Sequence, residues 1–166
     1  MNYFLYIFFA ITVLPTTTFS QEYKNFTDMA NRVVSHTIPL IKPEKVKDKT
    51  SQIYFLDARE KKEFFISHIE NAQCIGYDFP DFSALNKIPT NAIIVVYCSV
   101  GYRSEKMAEK IKAMGYKNVF NLYGGIFHWA NLNFPLVDAK NKPTVKVHGY
   151  SQNWGKWLLT KNAVYE

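Results

Sequence analysis

Cysteine is scarce in this chain: two residues in 166, Cys74 and Cys98, and they do not form a Cys-x-x-Cys pair. That spacing marks most thiol–disulfide exchangers, so its absence weighs against such chemistry. The His and Cys residues have no zinc-site spacing, which argues against a metal. No glycine-rich nucleotide or phosphate loop occurs, so no cofactor of that class is expected. Repeats and low-complexity runs are absent too. The net charge is +6, but lysines are spread from Lys24 to Lys161. They do not alternate with aromatics as in single-strand binders, so a nucleic-acid partner is not expected. No apolar run reaches the roughly 20 residues of a membrane helix. Residues 3–14 come nearest, and no Lys or Arg precedes them.

An apolar run of that length, followed by Thr18-Phe19-Ser20, reads as a secretion signal. Small residues stand at the minus-three and minus-one positions, so cleavage is expected after Ser20. The mature protein would then be periplasmic or secreted. The alternative is an uncleaved N-terminal membrane anchor. The hydrophobic content, 48%, supports one cored domain with extensions.

Strand and helix periods alternate along the rest. Residues 21–37 carry Phe26, Met29, Ala30, Val33 and Val34 at helical spacing, a helical extension. Residues 38–41 read as a strand that Pro39 confines to a sheet edge. A short helix opens at Pro43. Residues 52–56 form a second strand, and residues 59–66 a helix pairing Arg59 with Glu63 at i,i+4. Residues 73–76 form a third strand holding Cys74 as a small core residue, and residues 79–85 a short helix. Residues 92–97 are apolar throughout, as a central parallel strand requires. A helix over 104–114 turns Met107, Ala108, Ile111 and Met114 inward and closes at Gly115. Residues 118–121 form the fifth strand. This predicts an α/β domain, with about five mostly parallel strands and helices on both faces. Residues 136–166 follow as an extension with a strand over 144–147. There, Trp154, Trp157 and Leu158 share a helical face expected to dock on the domain. The rival reading of this tail is a surface for a protein partner.

Cys98-Ser99-Val100-Gly101-Tyr102-Arg103-Ser104 joins the central strand to the helix after it. Ligands of parallel sheets bind outside the carboxyl ends of the strands. Loop N–H groups and a helix N-terminus favour an anion there, and a thiolate is one. Gly101 supplies backbone conformations other residues avoid. Arg103 adds a permanent cation with a forked donor set. Cys98 is the candidate nucleophile, and the loop from Ser99 to Ser104 the candidate anion receptor.

Four ordered segments extend this reading. They are Leu56-Asp57-Ala58-Arg59 with Glu63-Phe64, Ser67-His68-Ile69-Glu70-Asn71-Ala72, Tyr97-Cys98 through Ser104, and Leu122-Tyr123-Gly124-Gly125 with Trp129. Together, over about residues 38–135, they resemble the rhodanese family of sulfurtransferases. The second segment lacks the glycines and proline of the family pattern. The resemblance implies a rhodanese-like fold. It also implies a Cys98 persulfide formed from a sulfur donor such as thiosulfate and discharged to cyanide or a thiol. Arg103 would orient the donor's anionic end. Asp57 and Arg59 become cleft or structural residues, with Asp57 capping the helix after it. His68 and His128 are read as structural. Phosphatases of the dual-specificity type share this fold, but their loop carries one more residue between Cys and Arg. No cofactor and no metal are implied.

Overall fold

A computed structural model describes residues 24–165. The signal segment expected over residues 1–20 lies outside the described residues. The main sheet has five parallel strands: β1 (Leu40–Ile41), β2 (Tyr54–Asp57), β3 (Gln73–Cys74), β4 (Ile93–Tyr97) and β5 (Asn118–Leu122). Their spatial order is β1-β5-β4-β2-β3, which leaves β1 at an edge and β4 in the centre. The Pro39 carbonyl accepts the Asn121 N–H, so Pro39 meets the sheet through its acceptor alone.

The alternation along β4 divides the core. Val95 and Tyr97 face one buried cluster with Phe55, Leu122, Phe127 and Trp129. Ile94, Val96 and Cys98 face another with Leu56, Met107, Ala108 and Ile111. From Ile94 onward both faces of the strand are dry, as an unbroken apolar run requires. Helix α3 (Tyr102–Ala113) covers the second cluster, and α4 (Gly125–Asn131) the first. Between β2 and β3 lies α2 (Lys61–Ile66). Helix α1 (Phe26–Arg32) places Met29 in the first cluster.

Several expected boundaries move. The second helix starts at Lys61, with Glu60 as its N-cap in a capping box with Glu63. Arg59 therefore precedes the helix and pairs with Asp57, not Glu63. Asp57 does not cap that helix, since its carboxylate is taken by Arg59. A 3₁₀ turn over Ser83–Lys87 replaces the helix expected at 79–85, and Phe79 is exposed. Helix α3 begins at Tyr102, two residues early, and ends before Met114, which is half exposed instead of inward.

The tail departs most. The strand expected over 144–147 is two separate pairings. Strand β7 (Pro143–Thr144) runs antiparallel to β6 (Leu136–Val137), and β8 (Val147–His148) parallel to β9 (Ala163–Val164). Helix α5 is only Gln152–Gly155, so Trp157 and Leu158 lie beyond it. Val147 and Leu158 are buried in the first core cluster. Asn131 of α4 clasps the tail, donating to the Trp157 carbonyl (2.9 Å) and accepting the Leu159 N–H (2.8 Å).

A buried carboxylate also holds the N-terminal extension. Buried Glu105 of α3 accepts the N–H groups of Ser35 (2.7 Å) and Thr37 (2.9 Å). Both extensions are thus tied to helices that flank the end of β4.

Candidate active site

Cys98 follows the last residue of β4, one turn before α3 begins. Buried Cys98 is among the residues that line a cleft of about 440 Å³. The Gly101 N–H points at Sγ from 3.2 Å, and the Ser104 hydroxyl stands 3.5 Å away. Gly101 reaches this position with φ of 123°, a conformation that favours glycine. Two polar groups on one sulfur, at a helix N-terminus, form a receptor for negative charge.

The expected loop residues divide by position. Cys98, Ser99, Val100, Tyr102 and Arg103 line the cleft. Gly101 and Ser104 sit behind the sulfur. A buried asparagine supports them: Asn121 Nδ2 donates to the Gly101 carbonyl (2.9 Å), and Asn121 Oδ1 lies 2.7 Å from the Ser104 hydroxyl. Sequence reasoning passed over Asn121. An amide side chain between Phe120 and Leu122 near the end of a strand was the available signal, and the structure buries it fully.

Arg103 belongs to the first turn of α3, not to a free loop. Its guanidinium grips the Glu63 carboxylate with both terminal nitrogens, at 2.7 and 2.8 Å, and donates to Ser99 Oγ at 3.0 Å. Burial pushes the Glu63 carboxyl up, but hydrogen bonds and charge from Arg103, with charge from Arg59, hold it below its usual range. Burial works against the Arg103 cation, and bonding to Glu63 with the nearby Cys98 sulfur more than offsets it. The bidentate fork is the strong form of such pairs. The Arg103 charge is thus already shared with Glu63.

Asp57 and Arg59 form a second ion pair, at 2.6 Å and wholly buried. Arg59 also donates to the Ser67 carbonyl (2.6 Å), tying β2 to the turn after α2. Neither residue lines the cleft, so of the two readings the structural one describes their place. His68 stacks on Phe64 with ring centres 3.8 Å apart, and its Nδ1 lies 3.1 Å from the Phe64 carbonyl. His128 stacks on Phe26 of α1. Burial lowers the pKa of both histidines.

The Gly124-Gly125 segment buttresses the loop. The N–H groups of Ile126 and Phe127 donate to the carbonyls of Cys98 (2.8 Å) and Ser99 (3.1 Å). Helix α4 thereby uses the Cys98 loop as its N-terminal acceptor.

The far walls come from outside the motif segments. Arg32 and Val33 close one side, and Tyr150 and Trp154 another. Among the described residues, no three His, Cys, Asp or Glu side chains gather as metal ligands, and no helix is long and apolar enough to cross a membrane.

Comparison with known proteins agrees with this geometry. The model of the rhodanese-like domain matches residues 42–132, more than half of the chain. The chain belongs to the rhodanese-like family. A tRNA uridine(34) hydroxylase of Ehrlichia ruminantium is 34% identical over 87 residues, covering 48% of this chain and 32% of that protein. The probable adenylyltransferase/sulfurtransferase MoeZ of Mycobacterium tuberculosis is 32% identical over 84 residues, covering 50% of this chain and 21% of that one. The chain thus spans a third or less of the length of these relatives. Among solved structures, a thiosulfate sulfurtransferase from Pseudomonas aeruginosa superposes with a TM-score of 0.55 at 21% identity, covering 61% of this chain and 20% of that one. That likeness concerns the fold.

Proposed function

We propose that this protein transfers sulfane sulfur through a persulfide on Cys98. The Cys98 thiolate attacks the outer sulfur of a donor such as thiosulfate. The donor's S–S bond breaks, its electron pair leaves with sulfite, and Cys98 carries one extra sulfur. Cyanide or a thiolate then attacks that sulfur, and the electron pair of the Cys98 S–S bond returns to Sγ. Splitting the transfer into two displacements is covalent catalysis.

The observation that carries the reading is Cys98 in the lining of the cleft with the Gly101 N–H 3.2 Å from its sulfur. That donor suits the thiolate that leaves in the second step. Four residues separate Cys98 from Arg103. A compact loop suits one added sulfur, whereas a phosphoryl group brings three oxygens that need a wider ring of donors. Intact-mass spectra with and without thiosulfate test the reading. A gain of one sulfur atom on Cys98 supports it. An unchanged mass with every sulfane donor, alongside Cys98-dependent hydrolysis of an aryl phosphate, overturns it.

We further propose that the protein is exported, on the strength of residues 1–20 alone. N-terminal sequencing of native material should begin at Gln21. Met1 in a soluble cytosolic fraction would refute export.

A further inference from the structure

The cleft is far larger than the transfer just described needs. Cyanide has two heavy atoms, and one water occupies roughly 30 Å³ of liquid. A cleft of about 440 Å³ has the size of a site for an organic molecule. Half of its lining is aromatic or aliphatic, Val33 and Val100, Tyr77 and Tyr102, Tyr150 and Trp154, while Arg32, Glu60, Asp78 and Arg103 bring charge of both signs. Val33, Tyr150 and Trp154 lie outside the family match.

Tyr150 is placed there at a conformational cost. Its backbone is left-handed, with φ of 62°, although it carries a bulky side chain. The flanking chain imposes this. The Gly149 N–H donates to the Val164 carbonyl (2.8 Å), and the Tyr150 N–H to Nδ1 of buried His148 (3.0 Å). The ring then faces the Arg103 guanidinium at 4.9 Å, a cation–π distance, while half its surface stays exposed. A ring retained on a strained backbone beside a nucleophile points to a role at that site. On the opposite wall, Val33 is set by α1, since its N–H closes that helix on the Met29 carbonyl.

Resting on the sulfurtransferase reading, we infer that Tyr150 and the two extensions select the acceptor: an organic thiol with an apolar, planar body. The acceptor's ring lies against Tyr150 and Trp154, and its thiolate reaches the sulfane sulfur on Cys98. A bond forms between the thiolate and that sulfur. The Cys98 S–S bond breaks, its electron pair stays on Sγ, and the acceptor leaves as an aryl persulfide. No further oxidant or reductant enters. Tyr150 is a specificity residue, and it also positions Arg103.

The test compares discharge of the thiosulfate-loaded protein by cyanide, 2-mercaptoethanol and benzenethiol, for wild type and Tyr150→Gly. Glycine removes the ring and suits the left-handed backbone. Wild type should prefer benzenethiol over 2-mercaptoethanol in kcat/KM. Tyr150→Gly should lower the benzenethiol:cyanide ratio by about tenfold, the upper worth of one aromatic contact, through KM. Tyr150→Phe should restore the ratio. Thioanisole, which has the ring but no thiol, should bind the unloaded protein saturably and about tenfold more weakly in Tyr150→Gly. If glycine prevents folding, Tyr150→Leu takes its place. Persulfide formation with an unchanged acceptor ratio and no thioanisole binding overturns the inference alone. Saturable thioanisole binding lost in Tyr150→Gly, without persulfide from any donor, overturns the transfer reading and leaves an aromatic-binding cleft.

Discussion

Gly125→Ala is the sharpest test of how this fold holds the Cys98 loop. Gly125 opens α4 with φ of +58° directly against the loop that carries Cys98. An added Cβ would overlap the Cys98 carbonyl oxygen and lie 2.6 Å from the Ser99 carbonyl oxygen and 2.7 Å from its carbon. These are backbone atoms, so no side chain can swing away. The left-handed conformation alone costs alanine about 1–2 kcal/mol. Overpacking against a fixed neighbour adds about 1–3 kcal/mol. If the loop retreats, the Ile126 and Phe127 hydrogen bonds to it weaken, at about 1 kcal/mol each. The first two terms alone come to about 2–5 kcal/mol, a large part of the roughly 5–15 kcal/mol that holds a domain folded. With a urea m-value of about 2 kcal/mol/M, a loss of about 3 kcal/mol lowers the midpoint by about 1.5 M. Gly115→Ala is the matched control. Gly115 also has positive φ, +98°, but nothing lies within 4 Å of its added Cβ. It should lose only the conformational part, about 1–2 kcal/mol. Urea denaturation followed by circular dichroism measures both variants, and the rate of persulfide formation is read by intact mass. The reasoning fails if Gly125→Ala is no less stable than Gly115→Ala and loads sulfur at the wild-type rate.

Four further outcomes are expected. Cys98→Ser should lose all sulfur transfer with an unchanged circular dichroism spectrum, and full residual turnover in a folded variant would remove Cys98 from its role. Arg103→Ala strands the Glu63 carboxylate, 1% exposed, and should cost about 3–5 kcal/mol in urea denaturation. Because the folded Glu63 carboxyl is held below its unfolded value, its stabilisation is present above the unfolded pKa of about 4.3 and is lost as pH falls through the lower folded value. Glu63→Gln should therefore flatten part of the stability loss below about pH 4, and an identical acid limb in that variant would refute the assignment. Cys74→Ala should keep turnover near wild type, since burial, with Asp57 adding, pushes the Cys74 thiol up to about 11 and leaves it protonated at neutral pH. A large turnover loss in a well-folded Cys74→Ala protein would favour thiol–disulfide exchange.

Much of the sheet was legible because its signals are local. The unbroken apolar run of β4 requires burial on both faces, and the polar, glycine-bearing segment after it marks the end of a parallel strand. From that alone Cys98 falls where ligands bind such sheets. The charged residues were legible only as types. Spacing at i,i+4 suggested an Arg59–Glu63 pair, but Arg59 lies ahead of the helix, where that spacing has no meaning. Two pairs form instead, Asp57 with Arg59 and Glu63 with Arg103. Burial drives this partition, because each buried charge needs an opposite one in hydrogen-bond reach. The first pair is two residues apart and the second forty, and no periodicity encodes the second.

The tail marks the same boundary. Its tryptophans announced burial, because large aromatic side chains are costly to leave in water. Where they would be buried was not written locally. The β8–β9 pairing, the left-handed turn at Tyr150 and the clasp by Asn131 all join segments distant in sequence. The amino-acid sequence by itself determined the strand and helix periods, the strand-end cysteine and its anion-receiving loop, since these follow from neighbouring residues. Only the tertiary structure decided which cation meets which carboxylate and which extension walls the cleft, because those choices depend on the shape and dryness of space assembled from the whole chain.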